Sequence, residues 1–241
     1  SISDVAETAA VAISSVSGAD ATESGTQSVT ITINDNESTP TITLTVSATS
    51  IAENAGTSLT LTATSSIVSG SDITVSLGTG STATEGTDYG TISDVTISAG
   101  ATTGTTTFTP TDDSIYETST NETAIISIDS VSGGSAAENG TQAVTITITE
   151  NESAPTVTLA TSATSIAENA GTSLTLTATL SVATTADVTV ALSTSGTATE
   201  GTDYTDGSGN VDDIVISAGA TEGTVSFTPS DDSIYEGNET A

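Results

Sequence analysis

The chain has 241 residues with 31 Asp or Glu and no Lys, Arg or His, so its formal net charge is −31. A surface without cations cannot neutralise phosphate groups, which argues against a nucleic-acid partner and against an anionic membrane surface. The absence of Cys excludes disulfides and thiol chemistry. Hydrophobic residues make up 34% of the chain and aromatic residues 2%, which predicts small cores that need a metal ion or a neighbour.

Internal repeats divide the chain. Residues 50–64 recur letter for letter at 165–179, 115 positions later, and such duplication indicates a tandem array of one module. In chain order, we predict that residues 1–36 are the C-terminal strands of a partial module and that residues 37–152 are a complete module. Residues 153–241 are then a module that lacks its last two strands.

The modules carry the alternating pattern of half-buried strands. Residues 29–33 alternate Val or Ile with Thr, and residues 58–63 place Leu59 and Leu61 on one face and Thr60 on the other. No apolar stretch repeats with the helical period, and none approaches the roughly 18 residues of a membrane helix. About seven short strands per module predict an all-β fold of tandem antiparallel, immunoglobulin-like β-sandwiches.

Acidic residues recur at matching places in the modules, beside strands rather than within them. Alternate loops of a sandwich meet at one end, so we expect these carboxylates to converge. Oxygen donors in a chain without His or Cys suit Ca²⁺, which takes about six to eight oxygen ligands and would offset carboxylate repulsion. Glu23, Glu85 and Glu222 are expected to be ordinary solvated surface. The predicted ligands are Glu53, Asp88, Asp112, Asp113, Glu117, Glu150 and Glu152 in residues 37–152, Glu168, Asp203, Asp231, Asp232 and Glu236 in residues 153–241, and Asp35 and Glu37 after the first partial module.

Three motifs identify a related family. They are Ile-Ala-Glu-Asn-Ala-Gly at 51–56, Thr-Ala-Thr-Glu-Gly-Thr-Asp-Tyr at 82–89 and Asp-Asp-Ser-Ile-Tyr-Glu at 112–117, followed by an acidic exit from the last strand at 149–152. Together they resemble the Calx-β domain, found in sodium–calcium exchangers and in tandem arrays of bacterial surface proteins. The resemblance implies that the acids named above coordinate Ca²⁺ at one end of each sandwich. The exit at 149–152 is Thr-Glu-Asn-Glu rather than an Asp run, and this departure bears on the number of ions bound.

Three classes of function are compared. The first is a structural module of an extracellular fibre, filament or giant adhesin, in which Ca²⁺ stiffens the sandwich ends and module junctions. The second is a calcium-sensing or glycan- or ligand-binding module, which near-identical repeats disfavour. The third is an enzyme, which we do not expect because no His, Lys, Cys or Arg is present to act as base or nucleophile. The carboxylate-pair chemistry of a glycosidase stays open, but the position of Asp112 and Asp113 among other ligand-type acids favours metal binding.

The incomplete modules predict a partner. The strands expected to be missing after residue 241 match those supplied by residues 1–36, so the expected partner is another copy of this chain. Either residues 1–36 complete the sandwich of a neighbouring copy, or the sequence is part of a longer continuous array; both give a head-to-tail filament at the cell surface or outside the cell. We expect no direct membrane insertion, and a cell-surface or glycan target is left open.

Overall fold

The structure, a computed structural model, describes residues 2–3, 7–34, 36–117, 121–207 and 211–241. Across these ranges the secondary structure is strands and turns without helices, which confirms the predicted all-β class. A search of the same ranges for a helix long and apolar enough to cross a membrane finds none. The chain divides into two compact units, which are Ser1–Asp112 with Glu122–Thr149 and Asp113–Asn121 with Glu150–Ala241.

The strands are joined by turns and loops of varied length. In order they are β1 Ile2–Ser3, β2 Glu7–Ala12, β3 Ser28–Ile33, β4 Thr41–Val46, β5 Ser50–Ala52, β6 Leu59–Ser65, β7 Val68–Ser69, β8 Ile73–Ser81, β9 Val95–Ile97, β10 Thr103–Phe108, β11 Ile115–Tyr116, β12 Glu122–Ser132, β13 Ala137–Glu138, β14 Ala143–Thr149, β15 Val157–Thr161, β16 Leu174–Leu180, β17 Ala183–Thr184, β18 Val188–Val190, β19 Tyr204–Thr205, β20 Ile214–Ile216 and β21 Glu222–Pro229.

The first unit contains a two-sheet sandwich, called here the complete module, built from β4 to β6, β8 to β10 and β12 to β14. One sheet has the order β10-β6-β4-β13 and the other has the order β5-β14-β12-β8-β9. The pairs are antiparallel except for β13 with β4 and β14 with β5. Seven of these strands are the predicted ones, and the short parallel strands β5 and β13 were not predicted from the sequence.

Alternation along the strands fills the core of the complete module. In β6, Leu59 and Leu61 are buried while Thr60 is exposed, as the sequence predicts. Most of the core is Ile, Leu and Val, and its one aromatic pair is Tyr89 stacked on Phe108 with ring centroids 4.7 Å apart. A core with so few aromatic residues derives its stability from close packing of aliphatic side chains.

The second unit contains an open module, the name used here for β15, β16 and β18 to β21. Its larger sheet has the order β15-β16-β21-β19, and β18 pairs with β20. The buried core comprises Ala178, Leu180, Ile214 and Ile216, and an aromatic pair again packs beside it, with Tyr204 stacked on Phe227 at 4.5 Å. In the described part of this unit no strand stands where β12 and β14 stand in the complete module.

The N-terminal hairpin, β2 with β3, repeats the β12–β14 pair. Its register runs from Glu7 opposite Ile33 to Ala12 opposite Ser28, which is the register of β12 with β14 moved by 115 positions. Every residue of β2 and β3 is exposed, and the two strands pair with each other alone in the described structure. Residues 18–20 have φ of 96°, 48° and 56°, so the predicted turn lies in the left-handed region.

Candidate metal centre

The open module gathers carboxylates at one end of its sandwich. Glu168 lies in the turn between β15 and β16, Asp203 in the turn before β19, and Asp232 and Glu236 follow β21. Carboxylate oxygens of Glu168, Asp232 and Glu236 lie within 4.8 Å of one another, and so do those of Asp203, Glu236 and Glu239. Because Glu236 belongs to both groups, the five side chains form one acidic centre.

Backbone hydrogen bonds fix Asp203 in this centre. Its Oδ2 accepts the N–H of Thr199 at 2.6 Å, and its own N–H donates to the carbonyl of Thr199 at 2.8 Å. Gly201, with φ of 82°, allows the chain to reverse between them. Asp88 repeats this arrangement in the first unit, where its Oδ2 accepts the N–H of Thr84. The turn therefore fixes the carboxylate before any ligand binds.

A second set of hydrogen bonds joins Asp232 to Glu168. The N–H of Asp232 donates to Oε1 of Glu168 at 3.1 Å, and Oδ1 of Asp232 accepts the N–H of Ile234 at 2.6 Å. The chain leaving β21 is thereby tied to the turn that precedes β16. Asp113 makes the same local bond to the N–H of Ile115, at 2.7 Å.

The pKa of Glu236 reflects the negative charges around it. Partial loss of solvent, followed by the charges of Asp203, Asp232, Glu239 and Glu168, raises the pKa of Glu236 although its side chain is exposed. Carboxylates this close together repel one another. A divalent cation bound among these oxygens would replace that repulsion with attraction.

The ligands predicted within residues 37–152 fall into both units, and each is described within its own unit. In the first unit Glu53 is buried, with 7% of its surface exposed, and its N–H donates to the carbonyl of Thr149 at 3.1 Å. In the second unit Oε2 of Glu150 accepts the N–H of Glu117 at 2.6 Å, and its Oε1 accepts those of Asn151 and Glu152. Burial alone would raise the pKa of Glu150, but these N–H donors and the side chain of Glu152 lower it overall.

Not every predicted ligand belongs to a carboxylate group, and one member of the acidic centre was not predicted. Asp231 and Asp112 are exposed and belong to no carboxylate group identified in the described residues, Glu37 is half-buried after β3 in the first unit, and Asp35 lies outside the described residues. Glu239 belongs to the centre but was not predicted. The sequence feature that could have identified it is the segment Asn-Glu-Thr-Ala at 238–241, which repeats residues 121–124.

The donor set of the acidic centre fits calcium. All five side chains offer carboxylate oxygens, which are hard donors, and the chain has no His or Cys to favour a softer metal. Each group of three carboxylates provides three oxygens, or up to about six where all are bidentate, toward the roughly six to eight ligands of a calcium ion.

Comparisons with known proteins identify the family. Among solved structures, CBD12 from CALX1.2 is similar at 19% identity, covering 77% of this chain and 73% of that chain with a TM-score of 0.38. A two-domain protein of unknown function from Bacteroides fragilis is similar at 11% identity, covering 79% and 84% with a TM-score of 0.31. The comparison with curated proteins finds no match. The Calx-β domain model matches residues 35–153 and 150–240, and this chain therefore belongs to the Calx-β domain family.

Proposed function

We propose that the chain is a structural repeat of an extracellular fibre, filament or adhesin, stabilised by Ca²⁺ at the sandwich ends and joined head to tail. The observation that carries the proposal is the acidic centre around Glu236, in a chain without a single Lys, Arg or His. No side chain of this protein can neutralise those carboxylates, so a bound cation is the natural counter-charge.

Calcium in the acidic centre would join three separate parts of the open module. Glu168 belongs to the turn before β16, Asp203 to the turn before β19, and Glu236 to the segment after β21. Binding to the folded state alone stabilises it by mass action, by about 2.7 kcal/mol at 100 times the dissociation constant. Ca²⁺ would then provide the stabilisation that a larger core or a disulfide provides in other small domains.

A structural role fits the repeats better than a sensing or catalytic one. Residues 50–64 and 165–179 are identical, whereas a sensor needs sites tuned to different affinities. The absence of His, Lys, Cys and Arg removes the usual bases and nucleophiles of catalysis. Placement outside the cell is part of the proposal, since free Ca²⁺ is abundant there.

Thermal unfolding in EDTA, in Ca²⁺ and in Mg²⁺ tests the proposal. We expect Ca²⁺ to raise the melting temperature of the open module much more than Mg²⁺ does, because Mg²⁺ demands stricter octahedral geometry and dehydrates reluctantly. Glu236→Gln should remove most of that rise. The matched control is Glu222→Gln, which removes the same charge from an exposed position on β21 outside the acidic centre. Equal melting temperatures in EDTA and Ca²⁺ would overturn the calcium role.

A further inference from the structure

The turn between β13 and β14 occurs twice in this protein, with one substitution at its tip. Residues 138–142 of the complete module read Glu-Asn-Gly-Thr-Gln, and residues 23–27 of the N-terminal hairpin read Glu-Ser-Gly-Thr-Gln. Gly140 and Gly25 have φ of 67° and 70°, a conformation that Gly adopts without steric cost. The two turns therefore have the same backbone course and differ in the residue before Gly.

The flanking Glu and Gln residues close both turns. The N–H of Gln142 donates to Oε1 of Glu138 at 2.5 Å, and its Nε2 donates to the carbonyl of Asn139 at 2.6 Å. The turn at 23–27 has the same two bonds, at 2.6 and 2.7 Å. Ser24 replaces the asparagine there without changing either bond. The side-chain amide of Asn139 is therefore not what holds the turn together.

Asn139 takes part in the fold through its backbone. Its N–H donates to the carbonyl of Ile42 at 2.9 Å, beside the parallel pairing of β13 with β4. The residue is exposed, and within the part of the chain that the structure describes its side chain makes no hydrogen bond. A Cβ placed on Gly140 would have nothing within 4 Å, so the tip of the turn is open. The amide of Asn139 is thus free to rotate towards the backbone nitrogen that follows it.

We propose that Asn139 and Gly140 form a site of spontaneous covalent modification, at which the asparagine converts through a cyclic imide to aspartate or isoaspartate. The backbone nitrogen of Gly140 loses its proton and attacks Cγ of Asn139. The bond from Cγ to the side-chain nitrogen breaks, and that nitrogen leaves with the proton as ammonia. Water then opens the imide at either of its carbonyls. The reaction consumes water, releases ammonia and requires no other reactant.

Gly140 distinguishes this site from the other asparagines. Asn is a thermally labile residue, and of the nine in this chain only Asn139 is followed by Gly. Any other following residue has a side chain that crowds the attacking nitrogen, and Gly has none. The N–H of Gly140 donates to the carbonyl of Glu138 at 3.1 Å, a three-residue turn. Breaking that bond for the attack leaves the pairing of the strands intact.

Isoaspartate at this site would loosen the edge of the sheet β10-β6-β4-β13. It routes the chain through the former side chain, which lengthens the backbone by a methylene group between Asn139 and Gln142. Besides the bond from Asn139 to Ile42, the turn holds β4 through Oε1 of Gln142, which accepts the N–H of Leu44 at 3.4 Å. Without these bonds β13 separates, and β4 becomes an edge strand with unpaired backbone groups. The site is then a slow, irreversible switch that goes beyond the proposed function and does not depend on calcium.

Peptide mapping by mass spectrometry tests the site in the full chain, held in EDTA at mildly alkaline pH. We expect the peptide with Asn139 to gain the mass difference between an amide and an acid. Asn54 and Asn151, which are also exposed but precede Ala and Glu, should keep their amides over the same period. The loss of the original peptide should quicken as the pH rises, because the attacking nitrogen must lose its proton. Mass is the readout because Asp206, also followed by Gly, can isomerise without a change in mass.

Two variants exchange the tips of the repeated turns. Asn139→Ser, which introduces the residue found in the N-terminal hairpin, should abolish the conversion at 138–142. Ser24→Asn places Asn before Gly25 in the matching turn and should create a second reactive site there. Conversion of Asn54 or Asn151 as fast as that of Asn139 would overturn the proposal. So would an Asn139 that keeps its amide in the folded chain while the chain unfolded in urea converts.

Hydrogen exchange on the converted chain tests the consequence. The N–H of Ala137 donates to the carbonyl of Pro40 at 3.0 Å and that of Asn139 to Ile42, so both should lose protection after conversion. The N–H groups of β6, on the other side of β4, should stay protected. Full protection at residues 137 and 139 in the isoaspartate form would refute the switch. Because every sample contains EDTA, none of these results depends on whether the protein binds calcium.

Discussion

The complete and open modules share their repeated sequence but differ in how much of their core is buried. Ile42 is fully buried in the complete module, whereas Val157 at the matching position of the open module is 44% exposed. β8 spans nine residues and β18 only three, although both begin with the same alternation. Strand length and burial therefore depend on β12 and β14, which arrive from a distant part of the sequence, and not on local sequence alone.

Other features are identical in the two modules because they need only nearby residues. The Tyr–Phe stack has centroid distances of 4.7 and 4.5 Å. The turn that holds Asp88 through the N–H of Thr84 is repeated for Asp203 and Thr199. Local hydrogen bonds are therefore the same in both modules. Burial of the core differs, because it depends on strands that are distant in sequence.

The largest difference in stability should come from truncating Ile at two matching positions, the buried Ile146 and the exposed Ile31. Ile146→Ala removes buried methyl groups from the complete module and should cost about 2–5 kcal/mol of unfolding free energy. Ile31→Ala, made in the exposed hairpin, should change the stability of the unassembled chain by less than about 0.5 kcal/mol. Hydrogen exchange in increasing urea, at a concentration where the chain is monomeric, resolves the modules separately.

A cost for Ile31→Ala as large as that for Ile146→Ala, measured on monomers, would mean that the hairpin is already packed within its own chain. The prediction that Ile31 is exposed while Ile146 is buried would then be wrong.

The sequence predicted the features that repeat and alternate. Seven strands of the complete module and the hairpin turn at residues 18–20 were predicted from period-two alternation and glycine placement. The parallel strands β5 and β13 were not, since three- and two-residue strands depend on neighbours distant in sequence. Sandwich topology explains why acids at several strand ends were expected together. Glu236 does lie close to Glu168 and Asp232 in one group and to Asp203 in another.

Side-chain roles that depend on exact placement were harder to predict. Glu23 and Glu85 were expected to be solvated surface, but Glu23 accepts the N–H of Gln27 and Glu85 accepts the N–H of Ile92. Both carboxylates cap a turn and so stabilise local structure. Composition alone cannot distinguish such an acid from a ligand or a solvated group, because the difference is the direction of one side chain.

An intermediate effect should come from two glycines that let the sheets approach closely in both modules. A Cβ on Gly104 would lie 2.3 Å from the carbonyl oxygen of Thr96, and a Cβ on Gly223 would lie 2.6 Å from that of Val215. Backbone atoms cannot rotate away, so Gly104→Ala and Gly223→Ala should each cost about 1–3 kcal/mol. Urea unfolding followed by hydrogen exchange should show each loss confined to its own module.

Gly140→Ala is a control without a clash, since nothing lies within 4 Å of its Cβ; its φ of 67° makes it a test of backbone strain alone. A smaller loss at Gly223 than at Gly104 would indicate that the open sandwich relaxes where the complete one cannot. Equal losses would show that the spacing of β20 and β21 does not depend on strands equivalent to β12 and β14.

The smallest effect should come from Glu236→Gln, whose change in melting temperature should have opposite signs in EDTA and in Ca²⁺. Its pKa is raised in the folded state, so it contributes stability below the ordinary pKa of Glu and loses that contribution as the pH rises through the raised value. In EDTA at neutral pH, Glu236→Gln should therefore melt slightly higher than the native chain, with no difference in acid. In Ca²⁺ the order should reverse, because the variant lacks a ligand. Melting curves across this pH range, with and without Ca²⁺, measure both signs.

Glu150 provides the opposite case within the same unit. Backbone N–H groups lower its pKa in the folded state, so its contribution is present above the ordinary pKa of Glu and is lost as the pH falls through the lowered value. Glu150→Gln should thus lower the melting temperature at neutral pH in EDTA, where Glu236→Gln raises it. The same sign for both variants would mean that overall negative charge, rather than the local partners of each carboxylate, governs how this protein responds to pH.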